Sequence, residues 1–492
     1  MRLCLLGNDF HFEAENICRL FLPQEKIETV YELPREEEGI TAVAAVSRTA
    51  EGAQIAVTLT LSGFHGRRER TVPLSEPEFD DACELTLATL LYELFVELFG
   101  YTQSWGVLTG VRPIKLLRRL TRERGEEAAL AYFRDRLLVS DRKRALAAET
   151  LHHENAILAL SRPESFSLYL SVPFCPTRCD YCSFVSHTTE RSARLIPTYV
   201  ELLQREIEET ARIARELSLR LETVYMGGGT PTTLSAEQMT AVLSAAERSF
   251  DCSSVREFTV EAGRPDTVTE DKLRAIRAAG VSRISINPQT LHDRVLSAIG
   301  RRHTVEEFYN AFDLARRLGF DHINTDLIAG LPTDTAEGFS ETLSGILALS
   351  PESVTVHTLC RKRASQLVVR GREDIPPAPD AIAMVSESAE RLPQAGYHPY
   401  YLYRQSRTVG NQENVGWAKE GHDGLYNVFI MDETHSILGC GAGAVTKLKD
   451  PHSEYLERVF NYKFPYEYND RFGEMMLRKQ KIRPFYEGHP IA

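Results

Sequence analysis

The run Cys175-Pro-Thr-Arg-Cys179-Asp-Tyr-Cys182 gathers three of the nine cysteines, spaced by three residues and then by two. The other six (Cys4, Cys18, Cys83, Cys252, Cys360 and Cys440) are scattered, as small buried hydrophobes usually are. A structural zinc site closes with four ligands, commonly in two pairs. No second pair exists here, although His187 could supply a fourth ligand. Three thiolates on a four-iron cluster would instead leave one iron without a protein ligand. An open coordination position is what chemistry at a metal requires.

Three other features could take part in such chemistry. Met226-Gly227-Gly228-Gly229-Thr230-Pro231 reads at its simplest as a tight turn. It lacks both a following Lys-Ser/Thr and a G-x-G-x-x-G pattern, so it is not a phosphate cradle. Glu261 ends Phe-Thr-Val-Glu; such a carboxylate is commonly solvated, yet it could accept from a pair of hydroxyls. Arg361-Lys-Arg363 and Arg178 offer guanidinium forks suited to carboxylates, or else form a solvated basic loop. A second basic run, from Arg112 to Arg124, reads as an exposed helix face.

Short β-rich runs alternate with helical patterns through the middle of the chain. The strands expected are Ser167–Val172, Glu222–Met226, Glu257–Glu261, Arg283–Ile286, His322–Ile328 and Ser353–Thr358. The helices between them are Arg194–Leu217, Ala236–Phe250, Thr269–Ala279, Val305–Leu318 and Ala336–Leu349. Repeated βα units mean a parallel sheet, open or partly closed as a barrel, with function at the strands' C-terminal ends. The cysteines, the glycine run and Glu261 then follow or end the first three strands.

Before this barrel, residues 1–165 are expected to form an accessory α+β and helical region. Its strands are expected at Arg2–Leu6, Thr41–Ser47, Ala53–Leu61 and Thr71–Leu74, with a helix at Glu13–Leu22. Helices follow at Glu78–Phe99, Ile114–Arg122, Glu126–Leu138 and Asp141–Leu160. The barrel occupies 166–370. A stretch with Pro376, Pro377 and Pro379 breaks the rhythm, and 371–492 read as a C-terminal α+β domain covering the barrel. That domain is expected to hold a helix at Asp380–Ala395, strand-like runs at Tyr400–Tyr403 and Val428–Met431, and the glycine-rich Gly439–Gly443.

At 492 residues, 43% hydrophobic and 26% charged, the chain has the composition of a multidomain globular protein. Its net charge of −12 is diffuse, which argues against nucleic-acid binding and for a cytoplasmic enzyme. The N-terminus turns polar too early for a secretory segment. Glu93 and Glu97 make the apolar stretch Leu85–Gly100 a buried helix and not a membrane span.

Tyr169-Leu-Ser-Val-Pro-Phe-Cys175-x3-Cys179-x-Tyr-Cys182-Ser-Phe resembles the signature of the radical S-adenosylmethionine (SAM) enzymes. More closely, residues from about Tyr169 to Thr446 resemble the oxygen-independent coproporphyrinogen III oxidases of the HemN/HemZ type. Trp105-Gly-Val-Leu-Thr-Gly-Val-Arg-Pro113 and Tyr400-Tyr-Leu-Tyr-Arg-Gln405 resemble the HemZ branch. The resemblance implies a radical SAM partial (β/α)6 barrel. Cys175, Cys179 and Cys182 would hold a [4Fe-4S] cluster, and the glycine run would let backbone groups approach the methionyl amine of SAM. Glu261 would bind the ribose of that SAM, with Tyr169, Gly228 and Val445 among its contacts. Tyr181, Gly229, Thr230, Gln289, Arg301, Asp326 and Cys360 map to contacts of a second SAM. Tyr169 and the pair Tyr426-Asn427 are the candidate catalytic residues. The sequence departs from many relatives at Ser171, where they carry His, and at Cys360, where they carry Ala. It departs again at Tyr426-Asn427, the counterpart of a Phe-Gln pair.

The reaction so implied is oxidative decarboxylation. A radical derived from SAM removes hydrogen from a propionate carbon next to the ring, and loss of CO2 and an electron leaves a vinyl group. The tetrapyrrole substrate, a flavodoxin- or ferredoxin-type electron donor and a monomeric state belong to the same expectation. Two rivals stay open: a radical SAM tetrapyrrole methyltransferase, and a haem-binding chaperone without decarboxylase activity. The chaperones typically carry His-Asn-x-x-Tyr-Trp, whereas the nearest stretch here is Glu413-Asn414-Val-Gly-Trp417.

Overall fold

The computed structural model describes residues 1–33, 39–184 and 186–491. Two compact units emerge, Met1–Ala148 with Arg404–Gln412, and Glu149–Tyr403 with Glu413–Ala492.

In the first unit, five strands run in the order Glu28–Val30, Arg2–Leu6, Thr41–Thr49, Gly52–Leu61, Phe64–Pro73. The first two pairings are parallel and the last two antiparallel. Helix Phe79–Phe99 packs on the last two strands, and Phe21 stacks on its Phe95 at 5.1 Å. The strand expected at Thr71–Leu74 is longer and begins at Phe64. Its first half, His-Gly-Arg-Arg-Glu-Arg, carries the charge that blunts an edge strand, which hides it from a search for apolar runs.

The second unit holds the six expected parallel strands, side by side in chain order. They are Ser165–Val172, Arg220–Gly228, Glu257–Glu261, Arg283–Ser285, Ile323–Ala329 and Ser353–Thr358, termed first to sixth below. Helices Ile196–Glu216, Ala236–Ser249, Glu270–Ala278, Val305–Arg317 and Ala336–Leu349 make the crossovers. Two of them start on reciprocal capping boxes, Ser235 with Gln238 and Thr304 with Glu307, which satisfy otherwise orphaned first-turn N–H groups. The strands are buried along nearly their whole length, as a sheet covered on both faces requires. This is an α/β fold of the partial (β/α)6 kind.

Residues beyond the proline-rich break extend this sheet at both edges. Strand Glu413–Ala418 pairs antiparallel with the sixth strand. Strand Ser436–Cys440 pairs parallel with the first, and Val445–Lys449 and Leu456–Phe460 follow outward. The run Val428–Met431 is not a strand but part of helix Leu425–Asp432. A four-residue apolar run carries no period that separates strand from buried helix. The helix wins because the Glu257 carboxylate accepts from the Leu425 N–H (2.6 Å) and the Tyr426 N–H (3.4 Å) at its start. Glu433, with φ 61°, turns the chain away at its end.

Candidate active site at the cysteine loop

The cysteine loop leaves the first strand and is pinned from three sides. The Gly229 N–H donates to Val172 O (2.8 Å) and the Thr230 N–H to Phe174 O (2.7 Å), tying it to the glycine run. The Asp180 N–H donates to Ile299 O (2.9 Å) and the Thr177 hydroxyl to Gly300 O (3.0 Å). The Leu367 N–H donates to Asp180 O (3.0 Å), while the buried Asp180 carboxylate pairs with Arg370 (3.2 Å) and Arg372 (3.6 Å).

The three thiols differ in their surroundings. Cys175 is half-buried and accepts from the Thr230 hydroxyl at 3.5 Å; burial pushes its thiol up. Burial likewise pushes Cys182 to about 11, and the other two cysteines push the same way. Cys179 is buried and meets cations: Arg264 Nη1 lies 3.7 Å from its Sγ, and the Arg301 guanidinium stands nearby. His187 packs its ring edge-on against Phe464 (5.8 Å) and Tyr466 (6.0 Å).

Two glycines of the run are needed for space and shape. Gly228 has φ +110°, a conformation side chains rarely tolerate. A Cβ on Gly229 would stand 2.6 Å from Phe174 O and 2.9 Å from Val172 O. Opposite Gly227 lies the Glu261 carboxyl, which accepts from Tyr225 OH at 2.5 Å. Burial raises the Glu261 carboxyl to about 7; the Asp326 carboxylate adds to this, and the Tyr225 hydrogen bond opposes it. Tyr169, Tyr225 and Tyr426 form a stack, with ring separations of 6.3 Å, 4.4 Å and 6.2 Å.

Gln289, Arg301 and Asp326 come together through Asn287. Arg301 Nη1 donates to Asn287 O (2.5 Å), Asn287 Nδ2 donates to Asp326 Oδ2 (2.8 Å), and the Gln289 N–H donates to Asp326 O (3.0 Å). Gln289 holds φ +70° although it is not glycine. Its Oε1 and the Arg301 Nε are buried with no hydrogen-bond partner. Burial alone would raise the Asp326 carboxyl, but the His357 imidazole at 3.8 Å and a hydrogen bond from Asn324 (2.8 Å) leave it below the usual range. Tyr181 stands beside Arg301, and burial raises its hydroxyl. Cys360 follows the sixth strand, close enough to influence Tyr403. Val445 lies two strands out from the first: a Cβ on Gly439, which pairs with Tyr169, would stand 2.9 Å from Val445 O.

Tyr426 thus joins Tyr169, while Asn427 points elsewhere. Its amide donates to Tyr400 OH (3.2 Å), among groups at the strands' N-terminal ends, opposite the cysteine loop. Arg264, Tyr225, Asn287 and His357 went unnoticed in the sequence. Tyr225 stands two residues before Gly227, on the face a strand's period of two assigns to the same side, and that signal could have found it. A second group of possible metal ligands, His153, His398 and Asp423, lies apart. Its imidazoles stack at 3.8 Å with planes 16° apart, so their in-plane lone pairs cannot meet on one ion, and His398 is already paired with Asp423 at 2.7 Å.

The radical SAM superfamily pattern matches residues 169–345. Over 485 residues the chain is 37% identical to the Bacillus subtilis oxygen-independent coproporphyrinogen-III oxidase-like protein HemZ, covering 96% of this chain and 95% of that one. The chain belongs to the HemZ-type radical SAM proteins. It is also 30% identical to the heme chaperone HemW of B. subtilis, over 61% of this chain and 77% of that one. Among solved structures, the coproporphyrinogen III oxidase HemN of Escherichia coli superposes with a TM-score of 0.52 at 24% identity, covering 65% of this chain and 72% of that one. Radical SAM proteins imply a [4Fe-4S] cluster and SAM, and the residues of this HemZ-type chain fit both. Three thiols share one loop, an Arg264 N–H points at Cys179 Sγ with Arg301 nearby, and a glycine cradle and a carboxylate border the loop. Among the described residues, no helix is long and apolar enough to cross a membrane.

Proposed function

We propose that the chain catalyses the oxygen-independent oxidative decarboxylation of coproporphyrinogen III, converting propionates to vinyl groups on the way to protoporphyrinogen IX. The observation that carries this reading is the pair of buried, unpartnered atoms Gln289 Oε1 and Arg301 Nε beside Asp326. Leaving buried polar atoms unbonded costs about 1–3 kcal/mol each, so a site that keeps them is set up for a polar ligand. A second SAM has the groups to meet them: a carboxylate for the guanidinium, and hydroxyl or amine donors for Gln289 and Asp326.

The cluster and the first SAM supply hydrogen-atom abstraction. The chain supplies position. Glu261, when ionised, accepts from the ribose hydroxyls, and the stack of Tyr169, Tyr225 and Tyr426 walls the site with flat apolar surface. Arg178, whose Nη2 donates to Ala364 O (3.2 Å), draws the Arg361–Arg363 segment to the cysteine loop, where guanidinium forks can hold propionates. The same reading carries a flavodoxin- or ferredoxin-type electron donor, a monomer and a cytoplasmic setting.

Haem carriage is the rival suggested by the HemW relatives. The stretch closest to the chaperone motif is taken up by the sheet here: Asn414 Oδ1 accepts from the Thr358 N–H (2.8 Å), and Trp417 is buried. The test is anaerobic turnover of the reconstituted protein with coproporphyrinogen III, SAM and a reductant. Vinyl products with 5′-deoxyadenosine are expected. SAM cleavage without decarboxylation, together with stoichiometric haem binding, would replace this reading with the rival.

A further inference from the structure

Arg264 is a long, charged side chain only 3% exposed, held where the third strand gives way to the turn Pro265–Thr267. Its Nε and Nη2 grip both oxygens of Asp266 (3.0 and 2.9 Å). That leaves Nη1 to point at the cysteine loop, where it donates to the Thr177 hydroxyl (3.0 Å) and approaches Cys179 Sγ at 3.7 Å. The turn is itself locked: the Thr267 hydroxyl donates to Arg264 O (2.8 Å) and exchanges a 2.6 Å contact with Thr232. Among the described residues, the donors to Cys175 (the Thr230 and Ser186 hydroxyls) and to Cys182 (the Phe184 N–H) are neutral. One sulfur of the three is singled out for charged donors.

From this we infer that Arg264, oriented by Asp266, is a positioning residue that raises the reduction potential of the metal cluster held by Cys175, Cys179 and Cys182. The inference rests on the cluster reading of that loop and concerns the one-electron step that readies it. Reduction adds a negative charge to the cluster and its thiolates. A guanidinium N–H on a ligand sulfur stabilises that added charge, and in a buried site the effect is poorly screened. Asp266 offsets part of the cation's field while fixing its direction, so the two residues have opposite signs of effect.

The experiment is anaerobic reconstitution of the full-length chain, with iron and sulfide analysis and a potentiometric titration of the reduced cluster followed by EPR. Wild type, Arg264→Gln, Arg264→Lys and Asp266→Asn are compared without substrate. Arg264→Gln is expected to retain the cluster and to need a potential lower by about 59 mV or more, a tenfold change in the one-electron equilibrium. Arg264→Lys, which keeps the charge but loses the fork, is expected between wild type and Gln. Asp266→Asn is expected to shift the potential upward. Clusters of unchanged potential in Arg264→Gln would overturn the inference. Should that variant fail to assemble, an unchanged or lowered potential in Asp266→Asn would do so instead. A wild-type chain that binds no cluster would sink the reading of the loop as well, which separates the two failures.

Discussion

The two ends of the six-stranded sheet use the same kinds of residue for opposite purposes. At the N-terminal ends, Arg283, His322, Ser353, Tyr400 and Asn427 are joined by hydrogen bonds, with the buried Glu257 carboxylate within reach of the Arg283 charge. Arg283 Nε donates to His322 Nε2 (3.2 Å), and its Nη2 to Ser353 Oγ (3.3 Å) and Tyr400 OH (3.5 Å). Burial and the Arg283 charge push the His322 imidazole down to about 2, which keeps it neutral and able to accept. Glu257 caps the helix that carries Tyr426. At the C-terminal ends, Arg301 and Gln289 are as deeply buried, but one atom of each is left without a partner. A network that closes on itself holds the fold together, whereas one that stays open is shaped for something to be added. The barrel architecture separates the two along the strand axis, and across that distance the Arg283 charge still helps to lower the Glu261 and Asp326 carboxyls.

The sharpest way to break this comparison is at the cysteine loop. Cys179→Ala should leave the fold intact and abolish cluster assembly and SAM cleavage. Iron analysis, 5′-deoxyadenosine yield and thermal unfolding measured on one sample decide it; near-native cleavage would remove the loop from the site. At the opposite end, Arg283→Met removes the hydrogen bonds to His322, Ser353 and Tyr400 and the charge that acts on the buried Glu257 carboxylate. Each lost hydrogen bond costs about 1–3 kcal/mol, which denaturant unfolding would read, while the number of SAM molecules bound by any folded fraction is expected unchanged. A loss of SAM stoichiometry there would mean that the two ends are coupled.

Arg301→Ala tests the open end. Losing a charge-assisted hydrogen bond costs on the order of 1.5–3 kcal/mol, roughly ten- to over a hundred-fold in affinity. The cluster and one SAM should remain, and turnover on a porphyrinogen should disappear. Anaerobic equilibrium binding giving one SAM in both wild type and variant would remove the second site.

The smallest effect concerns pH. The Glu261 carboxyl titrates near 7 in the fold, against 4.5 ordinarily. Because the folded state holds this proton more tightly, the group's contribution to stability falls as pH rises from about 4.5 through about 7. On the proposed reading the first SAM takes the ionised form as acceptor, so affinity should rise over the upper part of the same window. Tyr225→Phe removes the hydrogen bond that lowers this pKa and should move the binding midpoint upward. Glu261→Gln should weaken SAM binding, yet stabilise the SAM-free protein at pH 8 by on the order of 3 kcal/mol. Calorimetry across pH would read both; a flat profile would mean that Glu261 stays ionised throughout.

What could be read from the sequence follows the physics of each element. The six parallel strands stood out because strands buried on both faces are short, apolar and β-branched, with long amphipathic helices between them. The cysteine spacing, the glycine run and Glu261 were legible because local spacing alone puts them at the ends of consecutive strands. Arg264 was not: its meaning comes from Asp266, Thr177 and Cys179, the last two on a distant segment of the chain. The neighbourhood of Asn427 was equally hidden, since Tyr400 and Glu257 reach it only through the folded sheet. Val428–Met431 misled because a short apolar run is ambiguous until its caps are known.

The pairing of Ser436–Cys440 with the first strand also bears on how the chain comes into being. Ser165–Val172 is made early, and its outer edge stays bare until the other five strands, the proline-rich break and helix Leu425–Asp432 have left the ribosome. At roughly 5–20 residues per second, that edge waits many seconds for its partner. An uncovered strand edge is a template for pairing with other chains. Production stopped short of Cys440 is therefore a route to aggregation, and slower synthesis through the middle of the message lengthens the exposure.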